Sequence, residues 1–155
     1  MKNRSLLFFL CFVTGVVSAA TVNVIPGTGT LSAAVKSAGA NDVIILGEGV
    51  YTETSSINPI VPLAIKAAAS ANVTVNMSSR FEIKASTSFV GIRMVATGET
   101  EIIRLVPGDA PYDLTVEGCK FDGPYTRAIR VYNTDQSVPY VNKLMISDDI
   151  FYAPA

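Results

Sequence analysis

Apolar residues return at every second position along this chain, in runs of about five, and clusters of Gly, Asn, Asp, Ser and Pro break the runs. That is the pattern of half-buried strands. One stretch, residues 112–123 (YDLTVEGCKFDG), is echoed at 88–98 and 143–153. In each copy an alternating strand meets a residue that tolerates left-handed backbone, and a bulky apolar residue follows three positions later. Gly91, Gly118 and Asp148 share the first position, and Met94, Phe121 and Phe151 share the second, at offsets of 27 and 30 residues. Such offsets fall in the period range of solenoids. A second strand type recurs at 81–85, 101–105 and 127–131, with Ile83, Ile103 and Ile129 spaced 20 and 26 apart. Residues 62–67 are an earlier, weaker copy of the first type. The regular spacing favours stacked parallel coils over a β-sandwich, with equivalent inward residues forming ladders along the axis. Burying each large apolar side chain contributes roughly 1.5–3 kcal/mol, which offsets the entropy of ordering a coil.

The start of the chain differs. Residues 21–25 read as a short strand and Pro26-Gly27-Thr28-Gly29 as a turn. Residues 30–39 read as a short helix: Thr30 or Ser32 caps it, Leu31, Ala34, Val35 and Ala38 form its apolar face, and Gly39 ends it. So short a helix is marginal alone and needs something to cover. Val43-Ile44-Ile45-Leu46 then reads as a buried or end strand.

The order of this helix, Asn41-Asp42-Val43-Ile44-Ile45-Leu46, Gly47-Glu48-Gly49-Val50-Tyr51-Thr52-Glu53 and Pro62-Leu63-Ala64-Ile65-Lys66-Ala67-Ala68 resembles the first coils of right-handed parallel β-helix proteins of the pectate-lyase-like superfamily. It is most similar to secreted members whose domains have no assigned function. The resemblance runs from about residue 21 to the last. It implies an all-β, right-handed parallel β-helix over 21–155, about five or six coils long, with a capping helix at 30–38. The chain stops directly after a strand motif without a C-terminal cap. This implies either the N-terminal coils of a longer protein or a last coil that pairs end to end with another chain.

Composition narrows the setting. Residues 6–17 form a nearly unbroken apolar run behind Lys2 and Arg4 and lead into Ser18-Ala19-Ala20. The run is too short to span a bilayer as a helix, which takes about 20 residues. It reads as a secretory leader, residues 1–20, removed after Ala19 or Ala20. The mature protein is then expected outside the cytoplasm: secreted, periplasmic or at the cell surface, with no stable membrane span. Its 10 basic residues stand against 13 acidic ones, a net charge of −3, which is not a nucleic-acid-binding surface. With Cys11 lost, Cys119 has no partner for a disulfide and reads as a small buried apolar residue. Histidine and tryptophan are absent, which excludes His-based triads, His-ligated zinc and Trp sugar platforms.

Candidate chemistry lies on the outward positions. Lys84, Arg104 and Arg130 each follow an isoleucine in successive strands of one type. Lys66, Arg93 and Lys120 recur at offsets of 27 and 27 in the other. Stacked on coils about 4.8 Å apart, each set would form a cationic strip. Like charges at that distance repel unless acidic groups or a ligand intervene. Arginine forks suit carboxylates and sulfates, so an anionic polysaccharide is the expected partner, with Tyr132 placed to stack on a sugar ring. An ordinary solvated surface, with the bases paired to Glu82, Glu101 or Glu117, satisfies the same pattern.

The superfamily resemblance also implies a second activity. Polysaccharide lyases of this fold abstract a proton beside a uronate carboxylate with an Arg or Lys base, often aided by calcium. Asp148 and Asp149, the only adjacent acidic pair, are the candidate calcium ligands. No catalytic residue transfers from the lyase pattern, and no cofactor is expected apart from calcium in a lyase. A binding or scaffold protein therefore ranks first, a lyase second, and a non-catalytic adhesin or structural repeat third.

Overall fold

The computed structural model describes residues 18–98, 101–132 and 140–152. The apolar run of the expected leader, with Cys11, and the last three residues lie outside them. The chain opens with β1 (Thr21–Val24), α1 (Thr30–Ser37), β2 (Asp42–Leu46) and β3 (Gly49–Glu53). Three full coils follow: β4 (Leu63–Ala67), β5 (Val73–Met77) and β6 (Phe81–Ile83); β7 (Thr87–Val90), β8 (Ile92–Ala96) and β9 (Glu101–Leu105); β10 (Tyr112–Glu117), β11 (Lys120–Asp122) and β12 (Arg127–Val131). A further turn begins with β13 (Val141–Ser147) and β14 (Ile150–Phe151).

Every named strand pairing is parallel, and the strands sort into three sheets. Sheet A runs β1-β2-β4-β7-β10-β13, sheet B runs β14-β11-β8-β5-β3, and sheet C runs β12-β9-β6. This is a solenoid of about five turns, the all-β parallel β-helix expected from the sequence.

The inward positions form the ladders that the alternation predicts. Ile44, Ile65, Phe89, Val116 and Ile146 are successive register partners in sheet A. In sheet B, Tyr51, Val75, Met94, Phe121 and Phe151 do the same. All but Ile146 and Phe151 are essentially fully buried. Buried tyrosine hydroxyls bind the coils to one another: that of Tyr112 lies 2.7 Å from the carbonyl oxygens of both Ile83 and Val106. Leu144, Ile146 and Phe151 stand at ladder positions and are 42%, 45% and 47% exposed. Among the described residues nothing stacks beyond them.

The repeat position shared by Gly91, Gly118 and Asp148 is a bend with φ of 70°, 61° and 57°. It turns the chain from sheet A into sheet B within one or two residues. Left-handed backbone is open to Gly and, less readily, to Asp, whose short polar side chain tolerates it.

Helix α1 forms where the sequence predicts it and buries Leu31, Ala34 and Val35 against the first coil. Its ends are made differently. The N-cap is Gly29, and neither Thr30 nor Ser32 caps the first turn. The buried carboxylate of Glu53 in β3 instead accepts the Leu31 N–H at 3.0 Å. At the other end Ala38 is extended and Asp42 accepts the Gly39 N–H at 2.7 Å. A helix lying across a coil can take caps from that coil, a source that local sequence does not display. No helix among the described residues is long and apolar enough to cross a membrane.

Candidate functional site

Sheet C holds the densest charge cluster. Glu82, Arg104 and Arg130 are register partners on its outer face. Phe81, Ile103 and Ile129 share an inward row. Lys84 therefore does not stack with Arg104 and Arg130, as the isoleucine spacing suggested. Ile83 pairs with Leu105, not with Ile103. A slip of two residues preserves strand alternation, so the apolar pattern alone does not exclude it. Lys84 shares the outer face with this row but sits two residues farther along the strand, about 7 Å away.

The centre of the cluster is Glu101, which the sequence reading left on the surface and the fold buries to 4% exposure. Its Oε2 accepts Arg104 Nε at 2.5 Å and Arg80 Nη1 at 3.4 Å. Its Oε1 accepts Arg130 Nη1 at 2.5 Å, with Arg127 Nη1 at 3.7 Å. Glu82 lies 3.8 Å from both Arg80 and Arg104. Burial pushes the Glu101 carboxyl upward, but the hydrogen bonds and charges of Arg130 and Arg104 outweigh it and hold the carboxyl below its ordinary range. The signal for Glu101 was present in the sequence: it has the same strand parity as the inward Ile103 and Leu105.

Tyr132 completes the cluster. The guanidinium carbons of Arg104 and Arg130 lie 5.1 Å and 4.8 Å from its ring centroid. The Tyr140 hydroxyl bonds the Tyr132 carbonyl, and the Tyr132 N–H bonds Leu105 at 2.8 Å, so this corner is held from both sides. A guanidinium has five N–H donors and a carboxylate accepts about four. Among the described residues, four arginines face two carboxylates, Glu82 and Glu101, on this surface.

The second predicted ladder divides between sheets. Arg93 and Lys120 are register partners in sheet B, but Arg93 is ion-paired with Asp122. Lys66 lies in β4 of sheet A beside Ile45 and Val90. The offset of 27 compared positions on either side of the left-handed bend, so it joined residues of different sheets.

Asp148 occupies the exposed bend, and Asp149 turns back into the coil. Its Oδ1 accepts the Cys119 N–H at 2.5 Å, and its Oδ2 is buried without a hydrogen-bond partner. Burial pushes the Asp149 carboxyl above its ordinary range. Calcium takes six to eight oxygen ligands, several of them ionised. Here Asp148 is exposed and one Asp149 oxygen is already engaged by the Cys119 N–H. Among the described residues no three His, Cys, Asp or Glu side chains cluster as a metal site.

No protein-family model and no curated protein matches the sequence. Among solved structures the chain is similar to a PL6 family alginate lyase, AlyGC, with a TM-score of 0.70 at 19% identity over 86% of this chain. A mutant of that lyase matches with a TM-score of 0.69, also at 19% identity and 86% coverage. The chain spans 20% of the length of either structure. At this identity the likeness is one of architecture: the chain has the fold of a parallel β-helix.

Proposed function

We propose that this chain is an extracytoplasmic polysaccharide-binding β-helix that takes an acidic glycan on the outer face of sheet C. One observation supports the reading most directly: among the described residues Arg80, Arg104, Arg127 and Arg130 converge on the buried Glu101, so that guanidinium donors outnumber its acceptor positions. Glu101 fixes Arg104 and Arg130 before any ligand arrives, which reduces the ordering cost of binding. A uronate carboxylate or sulfate would bond the remaining N–H groups, and the exposed part of Tyr132 would meet a sugar ring. Gel retardation in alginate and pectate against a neutral glucan tests this. Retention by the acidic gels should disappear in an Arg104→Glu/Arg130→Glu protein; equal retention of the two proteins removes the reading.

A second reading, a polysaccharide lyase, draws on the structural likeness to a PL6 family alginate lyase. Here the arginines would neutralise the uronate carboxylate and so acidify the adjacent C–H. A lyase product is unsaturated and absorbs ultraviolet light. No absorbance on alginate or pectate, with calcium supplied, would exclude the activity for those substrates and leave binding intact.

A further inference from the structure

Lys84 leads from sheet C into a trough that none of the readings above uses. Its floor is residues 84–88, the short link from β6 and the first two residues of β7. One wall is built around Ile60 and Pro62, the other around the loop 107–111. A cavity of about 490 Å³ lies over Lys84 and Asp109, and one of about 270 Å³ lies over Ser88 and Asp113. Both are lined by Pro62 and Ser86, so the two lie side by side between the corner of sheet C and the outer face of sheet A.

The trough is firmly built. The Lys84 N–H bonds the Pro59 carbonyl at 3.1 Å, and the Ser86 carbonyl accepts the Leu63 N–H at 3.0 Å. On the other side the Ser86 hydroxyl accepts the Asp113 N–H at 3.1 Å. Gly108 is pressed against the backbone of Lys84, where a Cβ would lie 2.1 Å from the Lys84 carbonyl oxygen. Only glycine permits that approach, and it seats the 107–111 loop beside the exposed Lys84 side chain. The walls offer flat aliphatic surface from Pro62, Pro107, Pro111 and Ile60, which is 70% exposed. The floor and far wall offer an ammonium, serine hydroxyls and the Asp113 carboxylate. Aliphatic faces suit the C–H faces of sugar rings; the Lys84 ammonium and the serine hydroxyls can donate to uronate carboxylates, while Asp109 and Asp113 can accept only from sugar hydroxyls.

Resting on the reading that sheet C binds acidic polysaccharide, we propose that the trough extends that site, so that one glycan strand passes from Arg104 and Arg130 around the corner at Lys84 to Ser88. From the Glu82–Arg104 row to Ser88 the backbone covers at most about 20 Å, room for several sugar units. Chain length is then read by the trough, and anchoring by the arginines.

The test is calorimetric titration with a uronate dimer and a uronate octamer, using wild type, Ser88→Trp, Lys84→Ala and Arg130→Ala proteins whose melting curves confirm folding. Wild type binds the octamer about tenfold or more tighter than the dimer. Ser88→Trp, which fills the trough, reduces octamer affinity to that of the dimer and leaves the dimer unchanged. Lys84→Ala does the same in part, without added bulk. Arg130→Ala weakens both ligands. If Ser88→Trp and Lys84→Ala bind the octamer like wild type while Arg130→Ala loses both, the trough proposal is overturned and the sheet C reading stands. If wild type binds neither ligand, both are overturned.

Discussion

Arg104 and Arg130 face one another across the β9–β12 ladder, two like charges in direct register, and the buried carboxylate of Glu101 bonds both at 2.5 Å. Without Glu101 the pair would repel across neighbouring strands. Glu101→Ala should therefore destabilise the fold by roughly 3–5 kcal/mol, the usual cost of breaking a buried ion pair. Glu82→Ala, whose partners lie 3.8 Å away at a half-open surface, should cost about 0–1 kcal/mol. Urea unfolding of the two variants measures the difference.

The Glu101 carboxyl is held below its ordinary range, so its contribution is present above the unfolded glutamate pKa and is lost as pH falls through the folded value. Wild type should lose stability steeply in acid over that window. Glu101→Gln should show a shallower acid limb in melting temperature against pH, starting from a lower plateau. Parallel acid limbs would show that Glu101 does not titrate in this way.

At the bend, φ at Gly118 is 61° and an added Cβ would meet nothing within 4 Å. Valine there is penalised by backbone strain alone, about 1–2 kcal/mol or somewhat more for a β-branched residue. Glu117→Val, one residue earlier on the exposed face, should leave the melting temperature nearly unchanged. Gly123→Ala should be worse than either, because its Cβ would lie 2.1 Å from the Ala96 carbonyl oxygen.

These bends were legible because a positive φ restricts residue choice, and the restriction appears as Gly91, Gly118 and Asp148 at matching positions. The Met94–Phe121–Phe151 ladder was legible for the same kind of reason, since inward positions mostly carry apolar groups. The strand register was not. Ile83 and Ile103 are both inward and chemically alike, and a shift of two residues leaves each on its correct face. Lys66 was misplaced because a left-handed bend and a continuous strand share one alternation until the chain turns. The arginine site was half visible: Arg104, Arg130 and Tyr132 were identified, but their organising residue is buried by its neighbours in the fold rather than marked by its own chemistry.

Asp149 occupies the position filled by Ile92 and Cys119 in the preceding coils, and its carboxyl is pushed up by burial. A raised folded pKa contributes stability below the unfolded aspartate value and loses it as pH rises through the folded value. Asp149→Asn keeps an oxygen acceptor for the Cys119 N–H and removes the charge. It should raise the melting temperature at neutral and alkaline pH, with the gain shrinking toward acid. A constant gain at every pH would mean that charge is not the cause.

Cys119 is buried, and burial pushes its thiol up to about 11. At pH 8 it should resist thiol reagents in the native protein and react at the rate of local or global opening. Adding urea below the unfolding midpoint should accelerate labelling in step with the opening equilibrium. Fast stoichiometric labelling of the native protein would contradict its burial.

The central claim is that sheet C, rather than sheet B, is the face that binds acidic glycan. Titrating alginate into wild type, Arg130→Ala and Lys120→Ala proteins at two salt concentrations tests it directly. Losing one charge-assisted contact of about 1.5–3 kcal/mol should lower the affinity of Arg130→Ala about tenfold or more. Wild-type binding should also weaken as salt rises, and Lys120→Ala should match wild type throughout. Full affinity in Arg130→Ala, or loss in Lys120→Ala alone, would contradict the account.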